Sequence, residues 1–207
     1  MKNIKAIMFD YDGVLTLDKT ATDSICNHLS KVTGADKFFL ETVYSKYRPD
    51  LIIGKTSFEK IWGGFCLDIG ADIPIEILFD SFINTPIDKD MHNLVKELKG
   101  QNYLTALITD NNFDRIKTIV KEFGLDGYFD VISTSGEIGS GKKTEEIFLI
   151  TLEKLSIKAN ESIFIDNLEE NLAIPRKIGI ETIYFDDMKR DIYGLREKIE
   201  AILTSAP

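Results

Sequence analysis

Carboxylates, a hydroxyl and a lysine occur in this sequence at positions where phosphoryl chemistry is possible. Asp10 and Asp12 follow one short apolar run, Thr109 follows a second, Lys142 comes shortly after a third, and Asp166 follows a fourth. Carboxylate oxygens suit Mg²⁺, which keeps several waters and completes its octahedron with phosphate oxygens. A lysine and a hydroxyl opposite the metal would hold a phosphoryl group, and one carboxylate can act as the nucleophile that forms an aspartyl-phosphate. We therefore expect three carboxylates near one cation.

The apolar runs that precede these residues have the length and composition of buried parallel strands. They cover residues 4–9, 104–108, 129–132, 163–165 and 182–185. Stretches of helical periodicity lie between the later runs. Alternating strands and helices predict an α/β fold with a doubly wound, Rossmann-like parallel sheet, and in such a sheet the polar residues after each strand meet in one crevice.

The segment between the first two strands breaks this alternation. Residues 16–86 place apolar side chains at helical spacing and contain no convincing strand. We expect them to form an inserted α-helical domain, while residues 1–15 and 87–207 form the α/β catalytic core.

Composition excludes several classes of protein. The 207 residues include 25 Lys+Arg and 34 Asp+Glu, a formal charge of −9, and 43% are hydrophobic, as expected of a folded globular chain. Scattered cations in an acidic chain argue against nucleic-acid binding. No apolar segment is long enough to span a membrane, and the first ten residues lack a signal-peptide pattern, so we expect a cytoplasmic protein with no membrane partner.

Four motifs occur in an order that resembles the haloacid dehalogenase-like hydrolases, and the resemblance runs over the whole chain. They are Phe9-Asp10-Tyr11-Asp12-Gly13-Val14-Leu15, Leu107-Ile108-Thr109-Asp110-Asn111, residues 139–148, and Ile163-Phe164-Ile165-Asp166-Asn167 with Asn171. Each motif follows a predicted strand. All four together, in this order, are far more specific than any one of them.

The resemblance implies a role for each central residue. In that family Asp10 would be the nucleophile, and Asp12 would protonate the leaving oxygen, activate water and bind Mg²⁺ through its backbone carbonyl. Thr109 and Lys142 would bind phosphate, and Asp166 would supply a metal carboxylate. An aspartate at position 12 resembles the phosphatases of the family rather than its dehalogenases. The implied activity is Mg²⁺-dependent hydrolysis of a small phosphorylated metabolite, such as a sugar phosphate.

Three positions depart from the family pattern. Asn167 replaces a second acidic residue after the metal aspartate, and Lys143 replaces a proline that often follows the motif lysine. Asp110 replaces an asparagine after the motif hydroxyl. We count Asp110 with the phosphate-binding residues, although its charge would repel phosphate unless it caps a helix.

In relatives with an insertion after the first strand, helices form a cap that closes over the site and selects the substrate. Pro49 and Gly54 disfavour a continuous helix, so residues 49–54 are predicted to form a substrate-facing loop. Arg48 and Lys55 flank it and are our candidate cap contacts with substrate. Further candidates in the cap are Tyr44, Lys46 and Trp62.

Several alternatives compete with this interpretation. Residues 136–142 read G-x-x-x-x-G-K, as in a nucleotide-binding P-loop, but Lys143 stands where such a loop needs Ser or Thr. A calcium loop that starts at Asp10 would need glycine at Leu15 and glutamate at Ala21. A phosphosugar mutase and a non-catalytic protein that binds phosphorylated ligands both remain open, as does the oligomeric state.

Overall fold

The five predicted apolar runs form the five strands of one sheet. A computed structural model describes residues 3–204. Every strand lies within two residues of its predicted position at either end. The strands are Ala6–Phe9 (β1), Leu104–Thr109 (β2), Val131–Thr134 (β3), Ser162–Asp166 (β4) and Glu181–Tyr184 (β5).

All neighbouring strands of the sheet are parallel, in the order β3-β2-β1-β4-β5. Phe9 at the end of β1 lies opposite Leu107 in β2 and Ile165 in β4. The carboxyl ends of these three central strands therefore meet at one edge, where loops from parallel strands gather and ligands bind.

Helices cover both faces of the sheet. Ile7 and Phe9 point into one apolar cluster with the helices Lys89–Gly100, Phe113–Phe123 and Ile192–Thr204. Ala6 and Met8 point into a second cluster with the helices Glu146–Leu155 and Glu169–Lys177. The predicted doubly wound fold is thus confirmed. The helices are Ala21–Thr33 (α1), Lys37–Ile52 (α2), Phe58–Ile69 (α3), Ile75–Ile83 (α4), Lys89–Gly100 (α5), Phe113–Phe123 (α6), Ser135–Ile138 (α7), Glu146–Leu155 (α8), Glu169–Lys177 (α9) and Ile192–Thr204 (α10), with 3₁₀ turns at Leu125–Gly127 and Ala159–Glu161.

Four helices, α1 to α4, occupy the insertion between β1 and α5, as the helical spacing predicts. Their shared core is aromatic: Phe58, Trp62, Phe65 and Phe82 are all buried, Trp62 stacks on Phe65, and Phe58 packs at a tilt against Phe82. No helix within residues 3–204 combines the length and the apolar character needed to cross a bilayer.

The two chain crossings between the insertion and the sheet lie side by side. Thr16 and Ile87 form an antiparallel bridge, and the Asp88 N–H donates to the Leu15 carbonyl at 2.9 Å. His92 Nε2 lies 3.1 Å from the same carbonyl, and its Nδ1 lies 2.6 Å from the Tyr128 hydroxyl. Burial lowers the pKa of His92. The precise limits of the insertion, residues 16–86, stay a prediction.

The predicted loop at residues 49–54 is wrong, because α2 continues through Pro49 to Ile52. Proline removes one backbone hydrogen bond, but the last turn is held because Leu51 is fully buried and its carbonyl accepts the Asn112 side chain at 3.4 Å. Gly54 follows with φ +69°, and a Cβ there would clash with the Gly136 carbonyl oxygen. The end of α2 therefore rests directly on the sheet domain.

Candidate active site

Lys142 links two of the predicted carboxylates at the carboxyl edge of the sheet. Its Nζ lies 2.8 Å from Asp10 Oδ1 and 2.7 Å from Asp166 Oδ2, and all three side chains are buried. Burial would lower the pKa of Lys142, but the neighbouring carboxylates outweigh it and raise that pKa above its ordinary value. Burial raises the pKa of Asp10, which Lys142 opposes and Asp166 reinforces. One ammonium thus serves two buried carboxylates, and negative charge is in excess.

The carboxylate of Asp166 is fixed from its other side by the start of α9. The Leu168 N–H donates to Oδ1 at 2.8 Å, and Asn171 Nδ2 donates to both oxygens at 3.1–3.2 Å. Asp166 therefore presents its charge in one orientation, set by β4 and the first turn of the following helix. Of the acidic residues predicted to bind a cation, Asp10 and Asp166 are brought together.

The third predicted carboxylate, Asp12, lines the same cavity but pairs with a different cation. Arg115 donates from Nη2 to Asp12 Oδ1 at 2.8 Å and from Nη1 to Oδ2 at 3.0 Å. Burial opposes the charge of Arg115, but Asp12 outweighs it and raises the pKa of the guanidinium. Within residues 3–204 no three His, Cys, Asp or Glu side chains are grouped to hold a metal ion. The expectation of three converging carboxylates is corrected, because a buried arginine takes one of them.

The phosphate-binding candidates lie beside Asp10 after β2. Thr109 is fully buried and its hydroxyl oxygen accepts Asn111 Nδ2 at 2.7 Å, so its own O–H can be donated to an oxygen in the cavity. Asp110 Oδ1 accepts the backbone N–H of Lys142 at 2.9 Å. The helix N-cap at this point is Asn112, not Asp110. Asp110 therefore organises the Lys142 loop rather than capping α6.

A cavity of about 330 Å³ opens at these residues and is closed on its far side by the inserted helices. Arg48 is the one predicted cap contact that lines it; the side chain is half-buried, and no ion pair or hydrogen bond holds it among the described residues. Lys55 lies outside the cavity wall. The cap side of the cavity is formed by Lys19, Thr20, Ala21, Arg48, Ile52 and Ile53.

The other cap candidates have structural roles. Tyr44 is buried and stacks on Phe58, and Trp62 Nε1 donates to the Ile73 carbonyl at 2.7 Å. Lys46 pairs with Asp68 on the exposed side of α2. None of these three side chains reaches the cavity wall.

Known proteins resemble this chain in sequence. The sequence profile of the haloacid dehalogenase-like hydrolases matches residues 4–179. The chain belongs to this family. Rat bifunctional epoxide hydrolase 2 is 25% identical over 225 residues, which cover 99% of this chain and 40% of that protein. This chain therefore spans about two-fifths of that relative's length. D-ribitol-5-phosphate phosphatase of Bacteroides thetaiotaomicron is 25% identical over 193 residues, covering 86% of this chain and 90% of the relative.

Solved structures share the haloacid dehalogenase-like fold. A family enzyme from Bacteroides thetaiotaomicron superposes with a TM-score of 0.77 and 22% identity, over 94% of this chain and 99% of its own. The same enzyme has been crystallised with magnesium and inorganic phosphate, and that complex superposes with a TM-score of 0.70 and 21% identity over 87% of this chain and 93% of its own. At these identities the likeness establishes the fold.

Asn167 is the departure from the family pattern that bears on a metal. Its Nδ2 lies 3.4 Å from the Lys19 carbonyl and 3.5 Å from Asp187, while its buried Oδ1 has no hydrogen-bond partner among the described residues. The amide oxygen and the carboxylates of Asp10 and Asp166 form an oxygen-only donor set with excess negative charge. Such a set fits Mg²⁺, which prefers hard oxygen ligands.

Two arginines of the site were missed by sequence reasoning. Arg115 stands four residues before Ile119 on the buried face of α6. A charged residue at a position of helical spacing with apolar residues was the signal that could have identified it. Arg190 gave no signal, since it follows β5 in an irregular segment. It donates to the Gly13 and Val14 carbonyls at 3.0 and 2.8 Å and to Asp88 at 2.7 Å, so it fixes the loop after β1.

Proposed function

We propose that this chain is a Mg²⁺-dependent phosphatase that hydrolyses the monoester of a small phosphorylated metabolite. The observation that carries the proposal is the contact of Asp10 with Lys142 at the cavity floor, 2.8 Å apart and both buried. A carboxylate that attacks a phosphate must approach another anion, and a fixed ammonium offsets that repulsion. Phosphatases among the relatives support the same assignment.

The proposed reaction has two steps. An oxygen of Asp10 attacks phosphorus, and the bond from phosphorus to the leaving oxygen breaks. Asp12 takes up a proton as the substrate binds and gives it to that oxygen, which releases the alcohol. Water then attacks the aspartyl-phosphate, Asp12 takes its proton, and the bond to Asp10 breaks. The products are the alcohol and inorganic phosphate, and both aspartates return to their starting state.

Mg²⁺ would be held by Asp10 and Asp166, with Asn167 near it and the backbone carbonyl of Asp12 as the family resemblance implies. When bound, it would neutralise phosphate charge during transfer. The chain's own groups bind the same phosphate: Lys142 supplies a fixed positive charge, and Thr109 supplies a hydroxyl donor. Phosphoryl transfer needs little beyond such positioning and charge neutralisation.

The inserted helices, residues 16–86 in our proposed division, would act as a cap that sets substrate size. A cavity of about 330 Å³ accommodates a phosphorylated sugar or a compound of similar size but not a folded phosphoprotein. Arg48 is the cap cation in the wall and would contact the leaving group or its charged substituents. Ile52 and Ile53 would limit the volume of the leaving group. Lys55 has no part in this proposal, since it lies outside the wall.

Phosphate release from a panel of sugar phosphates, phosphorylated acids and nucleotides, with and without Mg²⁺, tests the proposal. We expect metal-dependent release that Asp10→Asn abolishes and that Lys117→Met, an exposed change on α6, leaves intact. Conversion of one sugar phosphate into an isomer with little free phosphate would point instead to a mutase. Binding of phosphorylated compounds without turnover by the native chain would refute catalysis.

A further inference from the structure

The pairing of Arg115 with Asp12 is buried and bidentate. Arg115 is 1% exposed and Asp12 7% exposed, and two parallel hydrogen bonds of 2.8 and 3.0 Å join guanidinium to carboxylate. Paired forks of this kind fix geometry as well as charge. A long arginine side chain ordered this way in the interior holds Asp12 in one orientation.

Neighbouring side chains extend the pairing into a network, in which Arg115 Nε alone of the guanidinium nitrogens has no partner among the described residues. Asn111 Nδ2 donates to Asp12 Oδ2 and to Thr109 Oγ1, both at 2.7 Å, and its Oδ1 accepts Arg115 Nη1 at 2.7 Å. Arg115 Nη2 also lies 3.4 Å from Thr85 Oγ1, at the return from the inserted helices. Each member is therefore fixed by at least one other.

The cavity and the network meet at Asp12. Asp12 lines the cavity, whereas Arg115 does not. Arg115 thus supports Asp12 from behind and has no direct access to a ligand. A residue in this place influences the reaction through the side chains that it holds, Asp12 directly and Thr109 by way of Asn111.

We propose that Arg115 is the positioning residue for Asp12, holding the carboxylate in line with the leaving oxygen and the attacking water. The inference rests on the proposed function, since it assumes that Asp12 exchanges protons with substrate and water. Without Arg115, Asp12 would keep only the hydrogen bond from Asn111 and could turn away from the leaving oxygen. Proton transfer to the leaving oxygen would then lose its alignment, and correctly placed acid–base groups are worth about 10²–10⁴-fold in rate.

The test compares leaving groups that need protonation to different degrees. An alkyl phosphate, such as the best sugar phosphate of the panel, leaves as a strongly basic alkoxide unless it is protonated, whereas p-nitrophenyl phosphate leaves as a stable anion. For Arg115→Met we expect kcat/KM, which reports only the steps up to release of the alcohol, to fall about 100-fold on the alkyl phosphate and less than about tenfold on p-nitrophenyl phosphate. Arg115→Lys, which keeps the charge but loses the paired fork, should lie between. Lys117→Met on the same helix is the matched control.

A second series of variants distinguishes the loss of Asp12 positioning from a folding defect. Arg115→Met alone leaves Asp12 buried without its cation, whereas Asp12→Asn with Arg115→Met removes both charges. If Arg115 acts through Asp12, the double variant should match Asp12→Asn within about threefold in kcat, because effects of residues that act as a unit are not additive.

Three results would overturn the inference or its premise. Equal losses of kcat/KM on both substrates, or a further large loss in the double variant, would show that Arg115 acts by another route, such as the support of Thr109 through Asn111. Native protein with no Asp10-dependent release from either substrate would overturn the proposed function, and the positioning role with it.

Discussion

Substitution of Gly54 by alanine tests whether the inserted helices rest on the sheet domain as the structure describes. Gly54 follows α2 with φ +69°, and an alanine Cβ there would collide with the carbonyl oxygen of Gly136 in α7. The collision involves backbone on both sides, so it is relieved only when the end of α2 moves away from α7. Ile52 and Ile53, which line the cavity, would move with it.

Two costs set the expected magnitude. A side chain in the left-handed region costs about 1–2 kcal/mol. Displacement of α2 also breaks the hydrogen bond from Asn112 to the Leu51 carbonyl, worth about 1 kcal/mol. Gly70→Ala isolates the first cost, because Gly70 has φ +70° at the end of α3 and a Cβ there meets nothing within 4 Å. We expect losses in the free energy of unfolding of about 1–2 kcal/mol for Gly70→Ala and about 2–3 kcal/mol for Gly54→Ala.

Urea unfolding and steady-state kinetics together make the measurement. Gly54→Ala should raise KM for the best substrate several-fold as the cavity wall shifts, while Gly70→Ala should leave KM unchanged. Equal losses of stability in the two variants, with the same KM as the native chain, would refute the contact between the end of α2 and α7. A larger effect in Gly70→Ala would refute the steric argument itself.

Three further predictions follow from other contacts. Asn167→Asp adds a carboxylate to the cavity that Asp10 lines, so the Mg²⁺ concentration for half-maximal phosphate release should fall about tenfold. An unchanged requirement would show that position 167 does not face the ion. Arg48→Met should raise KM at nearly constant kcat. Lys46→Met, on the exposed side of the same helix, should change neither constant. Identical kinetics in both variants would show that Arg48 does not contact the substrate. Burial lowers the pKa of His92 in the folded chain. Below about pH 6.5 the unfolded chain therefore binds a proton at this residue more readily than the folded chain does. The free energy of unfolding should fall on acidification by at most about 1.4 kcal/mol per pH unit. His92→Gln should flatten that dependence relative to His28→Gln, and an equal slope in both would assign it to other groups.

The sheet and the positions at its carboxyl edge were predictable because their signals are local. Each strand is a short apolar run, and the residue that follows a parallel strand is delivered to a shared edge whatever the rest of the chain does. Asp10, Thr109 and Asp166 therefore lie together as expected. Lys142 also joins them, although it follows β3 by a longer loop that Asp110 anchors.

Side-chain orientation could not be predicted in the same way. The direction of Asp12 depends on Arg115, about a hundred residues later in the sequence, and no local pattern reports that pairing. The error at Pro49 has a similar origin. Proline lowers the local preference for helix, but burial of Leu51 and its hydrogen bond to Asn112 hold the final turn. Tertiary contacts thus overrode local preference at both points.

The distribution of charge in the site separates the two aspartates of the first motif. Three buried carboxylates, Asp10, Asp12 and Asp166, face two buried cations, Lys142 and Arg115. Arg115 neutralises Asp12 alone, so the negative charge of that carboxylate is already balanced and does not attract a metal. Lys142 is shared by the other two, and the remaining negative charge is concentrated where a divalent cation and a phosphate would meet. Because the cations are divided in this way, a metal drawn to the site should leave the side chain of Asp12 free for proton transfer.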